Sequence, residues 1–200
     1  MAVRTERQTD RRRQILGAAV KVFAAKGFHA ARVGDIAEEA GVAYGLVYHY
    51  FSSKDELLET IFRSTWTDML ARVREVEAAG VPAIEAVRQV TALLLRTWRR
   101  DPDLVRVLVR EVTRGPHVQH EIQEISDAME ALENIVRRGQ ETGEFQAELD
   151  PRLAAVVFYG ALDEVLTSWV LGQLPDRDED IARAERDVVS LLTGGLRAPS

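Results

Sequence analysis

All six prolines in this chain fall between long stretches, and within each stretch the apolar residues recur at steps of three and four. Nowhere do Val, Ile or aromatic residues alternate with polar ones in period two, so no stretch reads as a half-buried strand. That punctuation confines the chain to an all-α fold. A first helix is expected over about 9–26, N-capped by Thr9, with Ile15, Ala19, Val22 and Phe23 on one side and Gly27 just past its end. Ser53 and Glu56 form a capping box opening a long helix through Leu58, Phe62, Trp66, Met69, Val73 and Val76, which Gly80 and Pro82 close. Val87, Val90, Leu94 and Trp98 face inward on the next. Asp101-Pro102 and Asp150-Pro151 start two more, and Gly115-Pro116 is a stop. Ile122, Ile125, Met129, Leu132 and Val136 mark a helix ending near Gly143, and the stripe Ile181, Ala184, Val188, Leu191 marks the last. The count is about nine.

Residues 153–171 are apolar almost all round, with Val156, Val157, Phe158, Leu162, Val165, Leu166 and Trp169 pointing in every direction. A helix without a wet face is buried on two sides, and in a chain of 200 residues the second side is expected to be a partner subunit. Pairing with the last helix gives a symmetric four-helix interface, hence a homodimer. Asp163 and Glu164 interrupt that helix. Adjacent helical residues point about 100° apart, so the two cannot share one substrate bond, and a role at the interface is expected.

Composition is that of an ordinary globular chain: 46% apolar and 29% charged. No apolar run reaches the roughly 18 residues that span a bilayer, and the N-terminus has no apolar signal-like region, so no membrane role is expected. Without cysteine there is neither disulfide framework nor thiolate chemistry, which fits a reducing cytoplasm. Residues 1–32 hold eight Lys and Arg against Glu6 and Asp10, a net +6, so the remainder of a chain of net charge −6 carries −12. A small anion-binding part on an acidic body has that polarity, as does a solvated basic tail.

The segment "VGDIAEEAGVAYGLVYHYF" explains what the basic part is for. Two short helices, the first with Ile36, Ala37 and Ala40, meet at Gly41, and Val42 fills the angle between them. Val47 and Phe51 of the second face inward, which leaves Tyr44, Tyr48 and His49 outside. This is helix-turn-helix grammar, in which the second helix enters the major groove of DNA. The run "RRRQILGAAVKVFAAKGFHAARVGDIAEEAGVAYGLVYHYFSSKDELLETIF" resembles the TetR family of bacterial transcriptional regulators without gaps. The resemblance implies a three-helix DNA-binding head over 1–52, a ligand-binding and dimerisation body over 53–200, a double-stranded operator as partner and a homodimer. Carried over residue by residue, Tyr48 matches a tyrosine that donates to phosphate, Tyr44 and Gly45 match positions near the bases, and Lys54 matches a phosphate-contacting lysine. Arg32 departs from the pattern, since the family often has Thr or Ser at positions 31 and 32; its charge can replace the hydroxyl's phosphate contact. His49 has two readings, a DNA contact or cover for the junction of head and body. Arg11, Arg12 and Arg13 either reach the flanking duplex or form a solvated tail.

For the body, Trp66, Met69, Leu94, Trp98, Met129, Phe158 and Leu162 are pocket candidates, each with plain core packing as its alternative. "FYGALDEVLTSWVLGQ" and "LVREVTRG" resemble the subgroup of TetR-type repressors of fatty-acid degradation, which implies long-chain acyl-coenzyme A as effector and no cofactor. Arg106, Arg110 and Arg114, spaced four apart, would then face the coenzyme's phosphates, or else form a solvated stripe paired with acids. A drug or an aromatic metabolite is the alternative effector. His117, His120, Glu121 and Glu124 lack a third clustered His or any Cys to complete a metal site. A helical-bundle enzyme is the remote alternative, with no nucleophile–base pair or phosphate loop to support it.

Overall fold

The computed structural model describes residues 2–112 and 123–197, with side chains from residue 8 onward. Among the described residues nine helices form: α1 (Ala2–Lys26), α2 (Val33–Glu39), α3 (Tyr44–Tyr50), α4 (Lys54–Ala78), α5 (Ala83–Arg100), α6 (Pro102–Val112), α7 (Gln123–Glu141), α8 (Pro151–Val170) and α9 (Asp178–Leu196). The all-α reading holds; the one β-type pairing among these residues is an isolated bridge between Phe145 and Arg197. The first helix starts at Ala2, not at Thr9, because no glycine or proline precedes Gly17 to stop it.

Two apolar clusters organise the packing. The head cluster gathers Ile15, Phe23, Ile36, Val47 and Phe51 with Leu57, Ile61 and Phe62 from the first turns of α4. The body cluster gathers Val90, Leu95 and Trp98 of α5 with Ile135 of α7, Phe145, and Phe158 and Leu162 of α8. α6 lies between them and serves both. Its Val105 belongs to the body cluster and its Val107, two residues on and so on the opposite side, to the head cluster. Burying both sides of an 11-residue helix is what "LVRVLV" encodes.

Local chemistry fixes the helix ends. At the start of α4, Glu56 N donates to Ser53 Oγ at 3.1 Å, but the Glu56 carboxylate reaches one residue further back than a standard capping box and accepts from Ser52 Oγ and Ser52 N, both at 2.6 Å. Those bonds, the side-chain one first, hold the Glu56 carboxyl below its usual value. The turn between α4 and α5 is clamped from α7 and the connector after it. Arg138 donates to Glu77 O at 2.7 Å and Val81 O at 3.2 Å, while Glu144 accepts from Ala83 N at 3.0 Å and Ile84 N at 3.2 Å. A cation thus caps the negative end of α4 and an anion the positive end of α5. Phe145 seats beside Gly139, where any Cβ would stand 2.2 Å from its ring.

α8 is long and apolar enough to cross a bilayer by length and composition alone. Its Ala155, Phe158, Leu162 and Trp169 are nevertheless packed in the body cluster. The opposite face exposes Leu153, Val156, Val157 and Leu171, with Asp163 and Glu164 among them, and Leu191 of α9 is 77% exposed. Of the stripe expected on the last helix, Ile181 is buried in the body and Leu191 faces outward, on the side where pairing with a partner is expected.

Candidate nucleic-acid interface and effector body

The interface begins at Gly41. Its φ of +61° is open to glycine at no steric cost, and it turns the chain so that Val42 N donates to Ala37 O at 3.0 Å. α3 follows and buries Val47 at 1% exposure, with Phe51 just past its end at 2%. Those two anchors leave the other side of a seven-residue helix in water. Tyr44 and Tyr48 are 55% and 45% exposed. One turn apart, they meet edge to face with ring centroids 5.2 Å apart and hydroxyls at 3.3 Å. The hydrogen bond from Tyr44 is the main reason the Tyr48 phenol is raised above its usual value, with some desolvation. Their mutual hydrogen bond uses one hydroxyl proton and leaves the other to be offered to an acceptor.

The other head residues fall into two groups. Gly45 is exposed beside Tyr44, with open space where a Cβ would stand, so the backbone can approach a partner there. His49 is exposed and its ring leans edge-on to Tyr50 at 5.2 Å. Arg32 is exposed at the start of α2, where Asp35 Oδ2 accepts from Arg32 N at 3.0 Å, the carboxylate half of a capping box, while the half that a Ser or Thr hydroxyl would make has no side-chain counterpart. Lys54 is different. Its ammonium donates to Phe28 O at 2.5 Å, Ala31 O at 3.0 Å and His29 O at 3.2 Å, and it lies 4.4 Å from the Phe28 ring centroid. All three of its protons are committed to the α1–α2 turn. In this conformation Lys54 is a clamp on that turn and is not held out toward a phosphate. Of the N-terminal arginines, Arg12 stacks 5.0 Å from the Phe51 ring and Arg11 donates to Gln14 at 2.8 Å.

The body residues also divide. Leu94, Trp98, Phe158 and Leu162 are buried in the packed core, with Trp98 stacked on Trp169 at 6.3 Å. Trp66 is half-buried and its ring meets Tyr159 at 5.9 Å, and Met129 is half-buried against the body cluster. Burial, with Asp163 adding to it, pushes the Tyr159 phenol well above its usual range. Met69 lines a cleft of about 1090 Å³ between α1, α4, α5 and α6. The arginine stripe does not act as one. Arg106 pairs with Asp103 at 2.7 Å and covers Trp98 at 5.2 Å, whereas Arg110 reaches across to Ala24 O at 3.1 Å in the last turn of α1. Arg114 lies outside the described residues, as do His117, His120 and Glu121. Local desolvation, and then the charge of Glu164, push the Asp163 carboxyl up.

Sequence reasoning missed the tie between head and body. Glu111, 8% exposed, accepts from Phe28 N at 3.4 Å, so α6 holds the same turn that Lys54 holds from below. The signal was present only in part: the apolar residues of α6, Leu104, Val105, Val107, Leu108 and Val109, spread over a wide arc that one partner does not cover, while Arg106 and Arg110 form its polar side.

The chain was compared with known proteins. The profile of "Bacterial regulatory proteins, tetR family" matches residues 15–61, and that of "YsiA-like protein, C-terminal region" matches 62–195. The "Fatty acid metabolism regulator protein" of Bacillus subtilis is 31% identical over 185 residues, covering 92% of this chain and 94% of that protein. Among solved structures, FadR from Bacillus subtilis in complex with stearoyl-CoA superposes with a TM-score of 0.81 at 29% identity, covering 92% of this chain and 98% of that one. The fatty acid degradation regulator FadR from Bacillus halodurans gives 0.84 at 30% identity, with 94% and 97% covered.

Proposed function

The chain belongs to the TetR family of bacterial regulatory proteins, and from that premise we propose that it is a repressor released from its operator by a long-chain acyl thioester such as an acyl-coenzyme A. It is a DNA-binding transcriptional regulator and not an enzyme. The reading places its work in the cytoplasm, where a bacterial operator lies. Its effector half is carried by the likeness to a regulator solved with stearoyl-CoA. Its DNA half is supported by the exposed Tyr44–Tyr48 pair on a helix that Val47 and Phe51 hold outward. In this reading Tyr48 donates to a phosphate and Tyr44 and Gly45 approach the base edges, with Arg32 and His49 beside them. The uncovered apolar side of α8, together with Leu191, receives the same side of a second copy. Two heads then read half-sites about one helical turn apart, ~34 Å. Effector binding favours a head spacing that misses the groove, and release follows from its preference for that state.

Gel shifts with and without stearoyl-coenzyme A test the effector, with a planar aromatic drug as control. Release by the thioester alone is the expected result; release by the drug alone would move the effector to the aromatic class. Tyr48→Phe, which keeps the ring and loses the hydroxyl, is expected to weaken operator binding roughly three- to tenfold, the worth of one net hydrogen bond. Unchanged affinity would remove Tyr48 from the interface.

A further inference from the structure

The cleft that Met69 lines follows the seam between antiparallel α4 and α5 and is bordered at one end by α1 and α6. From Ile61 to Val76 its α4 wall runs about fifteen helical steps, about 22 Å at the helical rise. The apolar part is formed by Ile61, Met69, Val76, Leu93 and Leu104, with Leu16 of α1. Its volume, about 1090 Å³, lies just above the roughly 300–1,000 Å³ usual for small-molecule sites. A small planar metabolite would leave most of it empty.

Charge marks one end. The last turn of α5 holds Arg99 and Arg100, with Arg96 one turn before Arg100, and Arg96 and Arg100 both line the cleft. Arg96 is oriented by two hydrogen bonds to Glu185, at 3.0 and 2.8 Å, and Arg99 by Asp178 at 2.7 Å. Arg100 makes no side-chain hydrogen bond or ion pair among the described residues. Nearby Asp101 is occupied in capping α6, where Leu104 N donates to it at 2.9 Å. At mid-length Arg72 is flanked on its own helix by Asp68 and Glu75, which disfavours an anion there.

We propose that this cleft is the effector site, and that Arg100, with Arg96 beside it, takes the phosphorylated headgroup while the acyl chain lies along the α4–α5 seam toward Val76. The assignment rests on the acyl-thioester reading above and goes beyond it by placing the ligand between the first helix of the head and the body. Leu16, Gly17 and Val20 of α1 form a wall of the same cleft, so an occupant separates α1 from α4 and α5 directly. Effector binding and head position are then one event and need no relay through the core.

Calorimetric titration of the full chain tests this with three probes: stearoyl-coenzyme A, the phosphate-free thioester stearoyl-N-acetylcysteamine, and coenzyme A alone. Arg100→Gln is expected to weaken stearoyl-coenzyme A roughly tenfold, the loss of one charge-assisted contact, and to change the phosphate-free thioester by less than about twofold. Gly17 lines the cleft and a Cβ there meets nothing within 4 Å, so Gly17→Leu places side-chain volume at the cleft wall and improves helix propensity. It is expected to weaken both thioesters. Coenzyme A alone is expected to bind the native chain weakly and Arg100→Gln more weakly still. If the native chain binds stearoyl-coenzyme A and both variants bind it equally well, the cleft assignment is overturned and the acyl-thioester reading stands. If the native chain binds neither thioester, that reading falls and this one with it.

Discussion

A lysine at the start of α4 offers a cation on the head's surface and, by family resemblance, a phosphate contact; the coordinates give it three carbonyl partners instead. The difference is physical. A carbonyl cluster gathers where a turn leaves its acceptors unpaired, and residues 28–31 are such a turn, about 25 positions away in sequence. No local pattern around Lys54 could announce it. Lys54→Met keeps the stem against Phe28 and removes the donors, and it should destabilise the head by roughly 1–3 kcal/mol, the cost of leaving polar groups unsatisfied. Chemical denaturation measures that loss. The salt dependence of operator binding supplies the second readout: a clamp leaves its slope unchanged, whereas a phosphate contact would lower it by about one counterion. The tyrosines of α3 were legible for the opposite reason. Whether Tyr44 and Tyr48 face outward is settled by helical geometry once Val47 and Phe51 are inside, and both pairs sit within eight residues of one another.

Among the helices, those with one apolar stripe were read correctly from their spacing, and those covered on two sides were only half read. α5 places Val87, Val90, Leu94 and Trp98 inward as its pattern requires. α6 has a polar side with Arg106 and Arg110, but its wide apolar arc is shared between head and body, and such a sequence says that two partners exist without saying which. The clamp on the α4–α5 turn was invisible, since Arg138 and Glu144 lie some sixty residues from the groups they cap. It leaves a pH signature. Burial raises the Glu144 carboxyl, but bonds from Ala83 N, Ile84 N and Thr142 and the charge of Arg138 outweigh it, so the folded value lies below the usual one. A depressed carboxyl contributes stability above its unfolded pKa, about 4.3, and that contribution disappears as pH falls through the folded value. Glu144→Gln should therefore melt below the native chain at pH 7, and the gap should narrow as pH drops below about 4. A gap that stays constant across that range would mean the carboxylate's charge contributes nothing.

At the scale of the molecule, what matters is how a body made for one ligand controls a head made for another. The structure supplies a strut. Val107 of α6 is 1% exposed inside the head cluster, Arg110 holds the last turn of α1, and Glu111 holds Phe28 N. Any displacement of α6 relative to the body is thereby delivered to the α1–α2 turn that precedes the DNA-reading helices. A ligand that spreads α1 from α4 and α5 has to strain the same contacts, so the two observations converge on one hinge. Allosteric coupling of this kind is typically about 1–3 kcal/mol, a 5- to 150-fold change in operator affinity on adding effector. Glu111→Gln keeps the shape of the strut and weakens its acceptor, since a neutral amide oxygen binds a backbone N–H less strongly than a carboxylate does. The expected outcome is a chain that still folds and still binds its operator, with a smaller ratio between affinities measured without and with effector. Fluorescence anisotropy of a labelled operator gives that ratio directly. If the ratio matches the native one while the variant's thermal stability drops, Glu111 serves only to pack the junction, and the strut must act through Val107 and Arg110.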